Sequence, residues 1–139
     1  MPKSISKRPT RYDTRRYMTL PRMLTHWHQA DTVATCCGPE DTVLEIGPGN
    51  GHVTWLLRDW GHQVTTCDVD RAVEADVHAD VTALPFGDGE FGVALAAEVL
   101  EHLPFERFVP ALRELRRVSR RHVVVTLPAP LVGMATLIN

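Results

Sequence analysis

The sequence predicts an α/β fold, a mostly parallel sheet of about five strands with helices on both faces. Three observations predict it. Short, largely apolar runs recur at 42–46, 91–97 and 123–127, the pattern of strands buried on both faces. Segments with helical periodicity separate them, and such alternation implies parallel pairing through crossovers. A glycine-rich break, Gly47-Pro48-Gly49-Asn50-Gly51, stands between the first strand and the next helix.

Residues 1–16 lack apolar periodicity and read as a loose arm, the basic segment extending to 19. Over 20–37, Leu20, Met23, Leu24, Trp27, Ala30 and Ala34 recur at three- and four-residue steps, the signature of a helix. Pro21 suits an early helical position, and Gly38-Pro39 ends the helix. Residues 42–46 form the first strand. Val53, Leu56, Leu57 and Trp60 mark one face of a second helix, with Gly61 at its C′ position. Residues 63–67 form the second strand, ending at Asp68. A short third strand is expected at 77–79. The link before it, 69–76, is shorter than the roughly dozen residues of a usual parallel crossover, so an abbreviated loop is expected. After a turn-rich stretch at 84–89, residues 91–97 form the next strand. Phe105, Phe108, Val109, Leu112 and Leu115 mark a third helix, with Arg113, Arg116, Arg117, Arg120 and Arg121 mostly on its wet side. Pro110 lacks an N–H and crowds the preceding turn, so the regular helix is expected to begin near it or to kink. Residues 123–127 form the last strand.

The 139 residues amount to one domain, 1–139, and 44% apolar content is enough for a core. Neither a multidomain enzyme nor a disordered tail is therefore expected. Three cysteines, the adjacent Cys36 and Cys37 and the separate Cys67, cannot make a disulfide framework and point to a reduced, cytoplasmic setting. Cys36 and Cys37 read as packing at a helix end and Cys67 as buried in a strand. No apolar run approaches the ~18–20 residues of a membrane span, and the first ten residues lack the apolar region of a signal peptide. The net charge is −2, unevenly placed: residues 1–30 carry +6 and the other 109 carry −8. Such an arm is either a surface for an anionic partner or a solvated terminus. His26 and His28, beside Trp27, read as surface or interface residues.

The glycines of 47–51 let the backbone turn tightly and approach a ligand. The helix that follows offers free N–H groups and a positive dipole end to an anion. The spacing is G-x-G-x-G, one residue tighter than the dinucleotide fingerprint. Glu45, two residues before the first glycine, offers a partner to an ammonium. Together these features suit an amino-acid-like head better than a pyrophosphate. Asp68 ends the second strand, where a carboxylate can accept from both ribose hydroxyls. Asp80 follows the third strand and can accept from an adenine amino group. All these positions fall at carboxyl ends of strands, where open α/β sheets bind ligands.

Taken together, several segments resemble the class I S-adenosylmethionine-dependent methyltransferases of the type-11 group. They are Val43-Leu44-Glu45-Ile46-Gly47-Pro48-Gly49-Asn50-Gly51, Asp68-Val69-Asp70, Ala79-Asp80-Val81-Thr82-Ala83-Leu84-Pro85-Phe86, Glu98-Val99-Leu100-Glu101-His102-Leu103 and Arg113-Glu114-Leu115-Arg116-Arg117-Val118. The resemblance covers about 42–128 and implies a Rossmann-like cofactor-binding core there. It implies that Gly47, Gly49 and Gly51, with Pro48 among them, face the methionine moiety and that Glu45 holds its ammonium. Asp68 would bind the ribose, Val69 would pack on the adenine, and Asp80 would take the adenine amino group with Val81 beside it. Ala97 and Glu98 would line the cofactor near the sulfonium. Tyr17 is a candidate cover, as N-terminal aromatics are in similar enzymes. The sequence departs from the family at Gly92, where an Asp is frequent, and in the near absence of a helix between the second and third strands. The family's antiparallel C-terminal strands are missing from the expected fold, which leaves an open sheet edge beside 123–127. The apolar Leu131 to Ile138 run then signals a surface to be covered by a partner subunit, or a truncated chain.

Within Glu98-Val99-Leu100-Glu101-His102, a helix would place Glu98, Glu101 and His102 on one face, where two carboxylates and an imidazole can hold a divalent ion. The run resembles the metal-binding E-x-x-E-H element of ubiquinone-pathway O-methyltransferases and of small-RNA 3′-end 2′-O-methyltransferases. The RNA enzymes use a further histidine, and none follows His122 here. Without a metal, Glu98 and His102 are the candidate proton acceptors. Alternatively, the acids cap the helix near Pro104. The expected function is methyl transfer from S-adenosylmethionine to a small-molecule acceptor. The alternatives are a cofactor-binding protein or fragment without transfer, and an RNA-modifying enzyme using the basic arm. A homodimer through the open edge or the N-terminal helix is the expected assembly.

Overall fold

The computed structural model describes residues 17–128 and 134–138. The arm over 1–16, with its suggested RNA-binding role, and the apolar residues 131–133 lie outside the described residues. In chain order the elements are α1 (Leu20–Cys36), β1 (Val43–Ile46), α2 (His52–Asp59), β2 (Val64–Asp68), β3 (Val77–His78), β4 (Phe91–Ala97), α3 (Phe105–Val118), β5 (Ser119–Leu127) and β6 (Met134–Ile138). A single 3₁₀ turn, Leu100–His102, precedes α3.

One sheet has the order β3-β2-β1-β4-β5-β6. The first five strands pair parallel, as expected. The edge beside β5, expected to be open, is instead paired. β6 runs antiparallel along it, with Val123 opposite Ile138 and Leu127 opposite Met134. An apolar run close behind a strand can fold back on its own chain and satisfy the edge's backbone groups without a second subunit. Strand residues alternate between two cores. Val43, Val93, Leu95 and Val124 join Ala30 and Val33 of α1 and Val53 and Leu57 of α2. Leu44, Ile46, Ala94, Ala96, Val123 and Val125 join Ala111, Leu115 and Val118 of α3. The helices therefore cover both faces.

The stripe that reveals α1 in the sequence is not the one it buries. Gln29, Ala30 and Val33 are buried, whereas Leu20 is 70% exposed and Met23, Leu24 and Trp27 also face out. Trp27 meets Trp60 edge-on at the surface, with ring centroids 6.4 Å apart. His26, read as a surface or interface residue, is half-buried with its ring centroid 5.6 Å from that of His52, because the turned helix directs it toward α2. α2 ends in a Schellman motif, with Gly61 N–H donating to Arg58 and His62 N–H to Leu57. The short link 69–76 is a loop, as expected. Its turns are closed by Asp68 and Asp70, which accept from the N–H groups two residues on, each at 2.8 Å.

α3 differs from the expected helix in where it starts, ahead of Pro110, and in where it ends. It starts at Phe105 and runs on through Pro110, which lies inside the helix. Glu106, whose carbonyl loses its helical donor, is exposed like Pro110, so water can replace that bond. The helix stops at Val118, so Arg120 and Arg121 belong to β5 and not to the helix. The β4–β5 register slips there, with Phe91 opposite Ser119 but Val93 opposite His122, leaving an extra residue on β5. The two consecutive arginines reach the same buried carboxylate, Asp41, at 2.8 and 2.9 Å. Asp41 also accepts from Gly38 N–H at 2.7 Å. Burial alone would raise its pKa, but Gly38, Arg120 and Arg121 outweigh this and hold it below the usual carboxylate range. Asp41 also accounts for Gly92, because a Cβ at 92 would lie 2.3 Å from its Cβ and Cγ. Gly92→Ala should therefore lower stability by about 1–3 kcal/mol, read as a lower urea midpoint at unchanged slope.

Candidate functional site

The loops after β1, β2, β3 and β4 open at the carboxyl border of the sheet. Gly47 has φ +68°, and a Cβ there would fall 2.6 Å from Val99 Cγ2, so both the turn and the close approach require glycine. Its N–H donates to Cys67 O at 2.8 Å, tying the loop to the end of β2. A Cβ on Gly49 would meet nothing within 4 Å, so this residue borders open space. Gly51 is the N-cap of α2. Asn50 Oδ1 accepts from His52 N–H at 3.1 Å, and the Asn50 amide donates to Met18 Sδ at 3.2 Å, which brings the start of α1 to the loop.

Two adjoining chambers result. The first, of about 480 Å³, is lined by Glu45, Pro48, Ala97 and Glu101, with Tyr17, Arg22, His26 and Gln29 contributed from the α1 side. The second, of about 300 Å³, is lined by Asp68, Val69, Asp80, Val81 and Arg107. Gly47, Gly49, Glu98 and His102 line both. The structure thus brings together every residue expected at the site except Gly51, which supports the loop from behind as a helix cap. The sequence reading missed Arg22, His26 and Gln29. Their i, i+4, i+7 spacing was the available signal. It also missed Arg107, which only tertiary packing brings to Asp80.

Glu45 is 2% exposed. Thr54 Oγ1 donates to its Oε2 at 2.5 Å. Burial pushes its pKa up to about 7, against the Thr54 bond and the charge of Arg58. Asp80 has the opposite environment. Thr82 N–H, then Arg107, then the Thr82 hydroxyl hold its pKa at about 2. The Arg107 guanidinium lies 2.5 Å from Asp80 Oδ2 and also donates to Thr82 Oγ1 at 2.8 Å. Glu98 has φ +53°, a left-handed conformation that disfavours residues with a Cβ. Its N–H donates to Thr126 O at 2.9 Å, and the buried Gln29 amide donates to Thr126 Oγ1 at 3.0 Å.

The expected metal-holding face is corrected. The helical turn covers only Leu100–His102, and Glu98 stands outside it with left-handed backbone, so the i, i+3, i+4 geometry is absent. Among the described residues no three His, Cys, Asp or Glu side chains are grouped to hold a metal ion. Nor do the acids cap, since neither this turn nor α3 has a side-chain cap bond.

The family described as "Methyltransferase domain" matches residues 44–126. The chain belongs to this family. Solved structures share the fold of this methyltransferase-domain chain at low identity. One is a SAM-dependent methyltransferase from Archaeoglobus fulgidus (20% identity, TM-score 0.67, covering 78% of this chain and 54% of that one). Another is a SAM-dependent methyltransferase from Methanosarcina mazei (18%, 0.60, 68% and 56%). A third is the YcgJ protein from Bacillus subtilis (23%, 0.59, 73% and 51%). The chain spans about half the length of these structures. No described helix is long and apolar enough to cross a membrane.

In this methyltransferase fold the buried Glu45 has a measurable signature before any ligand is added. Its pKa in the folded chain, about 7, lies above its unfolded value of 4.5. Its stabilising contribution is therefore fully present below pH 4.5 and is lost as the pH rises through about 7. Glu45→Gln should match the unaltered chain at pH 4.5 and exceed it by up to about 3 kcal/mol at pH 8.5, measured by urea unfolding at both pH values.

Proposed function

We propose that this chain binds S-adenosylmethionine across the two chambers and transfers its methyl group to a small-molecule acceptor. The observation that carries this reading is the continuity of the cleft. An acid and a glycine loop stand in one chamber, two strand-end aspartates stand in the next, and Glu98 and His102 line both. The residues present fit the group. Gly49 leaves open space where a side chain would stand. Glu45 is a buried acid suited to an ammonium. Asp68 lines the second chamber and is the acceptor for the ribose hydroxyls. Val69 and Val81 offer apolar surface to the base, and Asp80, fixed by Thr82 and Arg107, accepts from its amino group.

When bound, the cofactor supplies a methyl group on a sulfonium, a good leaving group. The chain's own work is to align an acceptor, exclude water and receive a proton where the acceptor carries one. Glu98 and His102 are the candidates for that proton. Arg22, His26 and Gln29 of α1 line the first chamber together with them. The second reading is cofactor binding without transfer, favoured by the span of about half the length of the similar structures.

Calorimetry with S-adenosylhomocysteine tests the cofactor site. The unaltered chain should bind it, and Asp68→Ala should weaken binding at least ~10-fold through the loss of charge-assisted bonds. Undiminished affinity in Asp68→Ala would sink the ribose assignment. Radiolabelled methyl transfer to a panel of hydroxyl, amine and carboxylate compounds separates the two readings, since binding without any labelled product favours the second.

A further inference from the structure

Of the described side chains lining the glycine-loop chamber, Arg22 is the one arginine or lysine. It projects from the first turn of α1, and its guanidinium carbon stands 4.0 Å from the centroid of the Tyr17 ring. Among the described residues it makes no ion pair with a carboxylate. It shares the chamber with Gly49, Asn50 and Val53, the residues that lead into α2.

We infer that Arg22 is the counter-ion for the carboxylate of the cofactor's amino-acid end, so that α1 is part of the cofactor site. This rests on the cofactor reading above. Histidines apart, the other ionisable side chains on the chamber wall are acids: Glu45, Glu98 and Glu101. An amino-acid head brings one ammonium and one carboxylate. Glu45 serves the first, and the second would be repelled by these acids without a cation beside it. The start of α2 favours negative charge, but Asn50 already occupies the first of its N–H groups. A guanidinium offers a planar fork to a carboxylate. Its stacking on Tyr17 holds it ready, which lowers the entropy cost of engagement. His26, one turn further along α1, does not compete. Burial, then His52, then Arg22 keep its pKa below its ordinary value, so it is largely neutral at pH 7.

Two ligands that differ only in the carboxylate test this on the full chain by calorimetry: S-adenosylhomocysteine and S-adenosyl-3-thiopropylamine. The unaltered chain should prefer the first by ~10- to 100-fold. Arg22→Gln should bind both within about 3-fold of each other, because the interaction is missing from either side of the cycle. Arg22→Lys, which keeps the charge and loses the fork, should recover part of the preference. A preference in Arg22→Gln as large as in the unaltered chain overturns the inference, as does an unaltered chain that binds both ligands equally. If the unaltered chain binds neither, the cofactor reading itself fails and the inference falls with it.

Discussion

Parallel pairing is the constraint from which the site follows. Strands that run the same way bring their carboxyl ends to one border, and every connection must return to the other. The strand order reverses between β1 and β4, so the connections through α2 and α3 pass on opposite faces and the loops part between them. The glycine loop after β1 and the segment carrying Glu98 and His102 after β4 therefore border the same gap. Asp68 and Asp80 follow at the next strands outward. No single residue creates the cleft; the sheet order does, and the side chains give it chemistry.

That chemistry depends on two carboxylates in opposed environments. Asp80 is held by three donors and stays ionised. Glu45 has one hydroxyl partner and little solvent, so its charge is costly until a cation arrives. One acid is a fixed acceptor, and the other is poised to ionise against a positive group. The Gln29–Thr126–Glu98 chain ties the first helix to the ends of β5 and β4.

Much of this was legible in the sequence. Strands buried on both faces announce themselves as apolar runs, and the ordered set of glycines and aspartates marked both chambers. What escaped depended on contacts between distant parts of the chain. The repeat Leu20, Met23, Leu24, Trp27 shows that a helix exists, but only packing decides which side meets the sheet, and Ala30 and Val33 proved to do so. Gly92 reads in the sequence only as a departure from the family, and its reason, Asp41 filling the space beside it, lies some fifty positions earlier. Arg120 and Arg121 continue a helical charge pattern and yet lie in a strand, because Asp41 draws both to one carboxylate. The Glu98–His102 run was read with helical geometry that the left-handed backbone at Glu98 denies.

The two-sidedness of α1 has a consequence for how such a chain can diversify. Arg22, His26 and Gln29 look into the chamber, while Leu20, Met23, Leu24 and Trp27 look out to solvent. With the ligand proposed above in the chamber, neighbours in sequence would meet separate demands, one set from ligand chemistry and the other from whatever the surface meets. Substitutions can accumulate on either face with little epistasis across the helix. One short segment can then drift in recognition and in association independently, while the sheet beneath it stays unchanged.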